Sequence, residues 1–263
     1  MTRRSARAWG VAAWGAIVVL SIGGVVGCDR QPPSATDDER RAYALDAELE
    51  DARDALHRGN VDGALSAVER ARAIDPASHR PLVFRGRVLM REGRLAESRA
   101  SYESAARLAD QSAAEAIARS SLDAAGDEDR EAALERREEA IKDAADAQLA
   151  AGTARLMSVF AEAQEEGPAA ELSDDGLAAA DASFGQAVET ADLLGEDAGD
   201  RGRTARLHRA LINALRGNRD AAITQIDMLE VGHEYDPDLA AFWRQAIRDG
   251  TLRAQLTQDE PAP

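Results

Sequence analysis

The stretch Gly59-Asn-Val-Asp-Gly-Ala-Leu-Ser-Ala-Val-Glu-Arg-Ala-Arg-Ala-Ile-Asp-Pro76 has a partner further along the chain, Gly93-Arg-Leu-Ala-Glu-Ser-Arg-Ala-Ser-Tyr-Glu-Ser-Ala105. Laid over each other, Leu45–Ser78 and His79–Ser112 repeat one pattern. Ala52 falls on Gly86, Leu56 on Met90, Gly59 on Gly93, Ala64 on Ser98, Val68 on Tyr102 and Ala71 on Ala105. Small residues recur where two helices must touch, and a glycine recurs where the chain must turn. A large apolar residue recurs in the second helix. This is the signature of a helix–turn–helix unit that buries its apolar side by stacking on its neighbours.

The period and its small, aromatic and proline positions resemble the tetratricopeptide repeat, although the usual Trp and Tyr of the first helix are missing. The resemblance implies an all-α solenoid. A further unit of this kind is expected in Arg206–Leu229, where Ala210, Gly217, Ala222 and Ile226 keep the same relative spacing. After it, Asp236 can cap a helix that starts at Pro237. That helix, Pro237–Arg248, places Leu239, Phe242, Trp243 and Ile247 on one side, as a terminal cap requires. Phe242 and Trp243 read as core of this cap. Tyr43, ahead of the first unit, reads as a lid on it.

The middle is less regular. Ala113–Ala125 reads as the first helix of a degenerate unit. Asp127-Glu-Asp129 opens a long helix to about Glu166, with acids at the positive end of its dipole. Leu134, Ile141, Leu149, Leu156, Val159 and Phe160 form its apolar stripe. Gly167-Pro168 stops it, and Ser173 or Asp174 starts another helix carrying Leu177, Phe184, Val188, Ala191 and Leu194 inward. The expected plan is thus two units over 38–112, an irregular or elongated helical section over 113–200, a third unit with its capping helix over 201–250, and a tail over 251–263. Self-pairing of Glu131–Phe160, or a separate helical hairpin, stands as the alternative for the middle.

The segment 1–27 has a basic start (Arg3, Arg4, Arg7) and then an uncharged apolar run from Ala8 to Gly27, ending in Val25-Val26-Gly27-Cys28. That order of basic, apolar and small residues is a secretory leader. Its last four residues resemble the lipobox of bacterial lipoproteins. The resemblance implies a signal peptide over 1–27, lipid on Cys28, and a bacterial envelope protein held at a membrane with its domain on the far side from the cytoplasm. Asp29 resembles an inner-membrane retention signal. The run is also long enough to span a bilayer uncleaved, and a leader cut elsewhere would leave Cys28 a bare thiol. Residues 28–37 then form a polar, proline-containing linker. With one cysteine in the chain no internal disulfide can form, so packing must supply the stability.

The net charge of −16 argues against nucleic acid or anionic lipid as a partner of the whole surface. No catalytic constellation is visible. His57, His79, His208 and His233 lack the three- or four-residue spacing of a two-histidine metal site, and P-loop, Gly-x-Ser-x-Gly and Gly-x-Gly-x-x-Gly motifs are absent. The expectation is a non-enzymatic chain with no cofactor and no metal. An envelope enzyme or remodelling factor would need its site in Gly126–Arg203, which offers acids but no histidine.

The site expected instead is a binding face. In the resembled family the first helix of each unit lines a concave groove. That places Asp46, Leu49, Arg53, Leu56 and His57 inward from the first unit, and Arg80, Val83, Arg87, Met90 and Arg91 from the second. Arg53 and Arg87 occupy matching positions of the two units, as do His57 and Arg91. The expectation is a basic lane over an apolar floor of Leu49, Leu56, Val83 and Met90. Guanidinium forks pair bidentately with carboxylates, so an acidic peptide or protein segment is the expected ligand. The competing reading makes these arginines ordinary solvated surface, balanced by Glu48, Glu50 and Asp54.

Overall fold

The computed structural model describes residues 36–122, 127–167, 170–231 and 236–257. The leader, Cys28, Asp29 and most of the linker lie outside them. Within the described residues the α-helices follow in order: α1 Asp37–His57, α2 Val61–Ile74, α3 Arg80–Arg91, α4 Leu95–Leu122, α5 Asp127–Glu166, α6 Asp174–Asp192, α7 Asp200–Leu215, α8 Arg219–Val231, α9 Pro237–Asp249 and α10 Leu252–Thr257. A 3-10 turn, Gly195–Ala198, precedes α7. Each helix packs mainly on its neighbour in sequence. The result is an all-α, tetratricopeptide-like solenoid.

Local signals set most helix boundaries. Thr36 and Glu39 form a reciprocal capping box at the start of α1. Asn60 caps α2 through Gly63, Ser173 caps α6 through Gly176, and Asp236 caps α9 with Pro237 at its first position. The turns between paired helices need a left-handed residue, and Gly59, Gly93 and Gly217 supply it with φ of 72°, 70° and 88°.

The hairpins close on a small–large contact. Gly86 lets α3 lie against the Tyr102 ring, where an added Cβ would come within 2.8 Å. Ser98, fully buried, donates to the Gly86 carbonyl at 2.8 Å. Ala52 with Val68, and Ala210 with Ile226, are equally sealed, at 0% exposure each. In these three hairpins the small residue stands seven positions before the turn glycine and the large one nine after it.

The middle obeys the same rule at larger scale. Gly152 faces the Phe184 ring, again too close for a Cβ at 2.9 Å. The turn glycine is Gly167, and its separations from Gly152 and from Phe184 each exceed those of the other hairpins by eight positions. That is about two helical turns added on each side. So α5 and α6 form a third hairpin unit with its tip extended, and α7–α8 is the fourth. Reading it as an elongated section is correct. Its unit structure escapes a search at one fixed period because the added turns shift that period.

Three expectations change. Ala113–Leu122 is no new helix: α4 runs unbroken through Ser112 for 28 residues, and its far half lies against the start of the 40-residue α5. The apolar residues Ala113, Ile117 and Ile141 hold that contact. The tail begins with a helix, because Leu252 and Leu256 of α10 are buried in the main core. Tyr43 is no lid; it is 52% exposed on α1. Trp243 is buried and Phe242 meets it edge-on, so the capping helix is core.

Candidate partner-binding face

The odd-numbered helices touch one another: α3 contacts α1 and α5, and α5 contacts α7. No even-numbered pair makes a comparable contact among the described residues. An array whose first helices are crowded and second helices splayed curves with the first helices inside. The inner face is therefore built from α1, α3, α5 and α7.

The structure breaks the expected lane into separately engaged cations. Arg80 crosses from α3 to α1 and pairs with Asp46 at 2.7 Å. Arg53 is taken by Glu50, one turn earlier on its own helix. Arg87 lies beside the buried Tyr102 hydroxyl, whose pKa burial pushes up to about 12. His57 and Arg91 end α1 and α3 in the exposed position. No carboxylate lies within ion-pair distance of Arg87 or Arg91 among the described residues.

The apolar floor is not open either. Leu49 is buried inside the first hairpin, with Leu56 packed at its edge. Val83 and Met90 pack against a cluster of Tyr102 from α4 with Ala150, Ala151 and Ala154 from α5. Sequence spacing placed these residues on the inward side of their helices, but that side is where α5 lies.

A charged seam runs where α3, α5 and α7 meet. Its acids, Glu139, Asp143 and Asp146, fall within two turns of α5. Asp146 takes a bidentate bond from Arg201 of α7, with both N···O distances at 2.8 Å. Asp143 sits 3.7 Å from His79 at the start of α3. Burial, then the charges of Glu139 and Asp146, push Asp143 up to about 6. Burial and the neighbouring Arg80 hold His79 down at about 4. At neutral pH the imidazole is uncharged, so their contact is an ion–dipole contact. One signal was available in the sequence: counted back from Gly152, Asp146 occupies the register of Asp46 and Arg80.

Deeper polar groups tie the units together. Arg155 of α5 donates to Glu103 of α4 at 2.9 Å, and to the Ala179 carbonyl and Ser183 hydroxyl of α6 at 3.0 Å each. Gln148 donates to Asp110 across α5 and α4 at 2.5 Å. His208 is buried, stacked on Phe184 with centroids 4.7 Å apart, and burial lowers its pKa. These groups are consumed by packing. So are Leu156, Val159 and Phe160 of the α5 stripe, which sit in the main core, while Leu134 is 45% exposed. A self-pairing surface along Glu131–Phe160 would need residues already covered by the chain's own helices. Among the described residues no group of three or more His, Cys, Asp or Glu side chains could hold a metal ion, and no helix is long and apolar enough to cross a membrane.

No family model matches the chain, and no curated protein matches it. Two solved structures are similar in helical build. One is a tetratricopeptide repeat protein from Parabacteroides merdae ATCC 43184, 16% identical over 84% of this chain and 82% of that one, with a TM-score of 0.32. The other is pilF of Pseudomonas aeruginosa, 16% identical over 80% of this chain and 99% of that one, with a TM-score of 0.25. The fold of the present chain rests on its own hairpin register and on the contacts among its first helices.

Proposed function

We propose that this chain is a membrane-tethered envelope lipoprotein that works as a binding scaffold without catalysis, lipidated at Cys28 and spaced from the bilayer by the residues between Cys28 and the Thr36 cap of α1. Its partner is a protein presenting an acidic segment to the inner face of the first two units. The observation that carries this reading is the pair Arg87 and Arg91. Both are cationic side chains on the inner helix of the second unit, and among the described residues neither has a carboxylate to neutralise it, in a chain of net charge −16. His57 and Arg53 continue the same register on α1. Arg80 contributes only if a partner carboxylate displaces Asp46.

The tether and the groove can be tested separately. Cys28→Ala should release the chain from the membrane fraction and abolish incorporation of a fatty-acid label; retention with no label would point to an uncleaved anchor instead. Charge reversal at Arg53, Arg87 and Arg91 should remove the partner recovered with the wild-type chain from detergent-solubilised envelopes. Unchanged recovery would end the groove reading. Asp29 favours the inner membrane, which sucrose-gradient separation of the two membranes would check.

A further inference from the structure

We infer that the inner face of the fourth unit is a helix-receiving site, and that α10 occupies it as a ligand in cis. The site differs from the basic face of the first two units, and the inference does not rest on the function proposed for that face. Carried along the repeat register, the positions of Arg53 and Arg87 fall on Leu211, those of Leu56 and Met90 on Ala214, and those of His57 and Arg91 on Leu215. The cations of the first two units are replaced by an apolar row.

Part of that row is covered by α10. The helix packs on α7 and α9, and Leu252 and Leu256 are 5% and 3% exposed within the cluster that holds Leu211 and Ala214. Arg253 donates to the Ala170 carbonyl at 2.6 Å, clipping α10 to the extended tip of the third unit. A six-residue helix cannot hold itself together in water, so its form depends on the surface beneath it. Its pattern is that of a groove-bound peptide, two leucines four residues apart on one side. Only Gly250, in the left-handed conformation with φ of 71°, and Thr251 join it to α9.

The fit is incomplete. A cleft of about 410 Å³ remains between α10, the end of α7 and the third-unit tip, where Leu215 and Leu252 are flanked by the charged Glu171, Asp174, Arg216 and Arg219. That volume falls within the range of ligand pockets. The ligand class is therefore an amphipathic helical segment that repeats the two leucines of α10 at i and i+4 and carries polar side chains beside them for the charged cleft, and it would take the place of α10.

The chain's own segment serves as the probe. A chain ending at Gly250 should bind a labelled peptide of residues 251–263 saturably, by fluorescence anisotropy. The same peptide carrying Leu252→Ser and Leu256→Ser should bind at least tenfold more weakly, and so should the wild-type peptide to the intact chain. A truncated chain that keeps its helical circular dichroism but binds no peptide would overturn the inference. So would an intact chain that dimerises by exchanging α10 and becomes monomeric on truncation. If the truncated chain loses its helices, hydrogen exchange on the intact chain decides. Amides of α10 that exchange ahead of α7 and α9 support a separable ligand, and exchange only together with them refutes it.

Discussion

The inner faces of the second and fourth units share one backbone and opposite chemistry. Both hairpins turn at a left-handed glycine, Gly93 or Gly217, and close on a small–large pair, Gly86 with Tyr102 or Ala210 with Ile226. Yet the register that carries Arg87 and Arg91 in one carries Leu211 and Leu215 in the other. The first remains partly solvated and charged. The second is partly covered by α10. A helical repeat needs its hairpin contacts to fold, and the inward positions are left free to diverge. In this molecule they diverge far enough to make one charged surface and one apolar surface that α10 partly occupies.

The strongest way to break that comparison is through the shared core rule. Phe184→Ala should cost about 3–5 kcal/mol, the range for removing a buried aromatic ring, because Phe184 is fully buried against Gly152 and His208. Urea unfolding measures the loss. Hydrogen exchange shows whether α1 and α2 keep their protection, as a solenoid held by nearest-neighbour contacts predicts.

Acid separates the seam from both faces. His79 is held neutral, with its folded pKa of about 4 below the ordinary value of 6.5. The unfolded chain therefore takes up that proton first, and stability falls as pH drops from about 6.5 to 4, by up to about 3 kcal/mol from this group alone. Asp143 acts in the opposite sense. Its folded pKa of about 6 lies above the ordinary 3.8, so the folded chain takes up its proton first and gains stability as pH falls through 6. Opposing it from the packed helices are Arg80 of α3 and Arg201 of α7, while Glu139 and Asp146 of α5 reinforce it. His79→Gln should flatten the acid loss and Asp143→Asn should steepen it. Thermal melts between pH 7 and 4 read both slopes; parallel slopes for the two variants would remove the seam from the account.

The hairpin rule can be sharpened further with Gly86. Gly86→Ala should cost about 1–3 kcal/mol by overpacking, since the new methyl meets the Tyr102 ring at 2.8 Å. Adding Tyr102→Val recreates the Ala52 and Val68 pair of the first unit and should recover most of that loss, a coupling that a double-mutant cycle on the four proteins measures. The smallest effect is expected at the open face. Arg91→Leu should change stability by only about 0.5 kcal/mol in either direction, because Arg91 has no ion pair to lose among the described residues. Arg87→Leu should cost more, about 1–3 kcal/mol, by taking its hydrogen-bond partner from the buried Tyr102 hydroxyl. A large destabilisation by Arg91→Leu would show that this side chain belongs to the structure and not to its surface.

How far the sequence could be read depended on how far apart the interacting residues are. The starts of α6 and α9 were legible because their caps lie within three residues of the groups they satisfy; the start of α1 was not, since Thr36 and Asp37 read as linker and in fact cap and open the helix. The first, second and fourth hairpins were legible because their contacts sit at a fixed spacing across one turn. The third was not, because its added turns moved Gly152 and Phe184 further apart along the chain while leaving the contact unchanged. The binding face was legible only as a set of inward positions. Which of them remain available depends on Asp46 claiming Arg80, α5 covering Val83 and Met90, and Tyr102 lying beside Arg87.

The sequence by itself determined an all-helical chain of paired helices, the glycines at their turns, the small and large residues that close them and the direction each inward position points. These follow from helical period and backbone conformation, which are local. Only the tertiary structure decided that α4 runs on past the second unit, that Arg201 reaches Asp146 and that α10 folds back onto the fourth unit. Those outcomes join segments distant in the chain, as Arg253 reaches Ala170 across 83 positions. No periodicity encodes them; they arise where apolar surfaces left over from local pairing find cover.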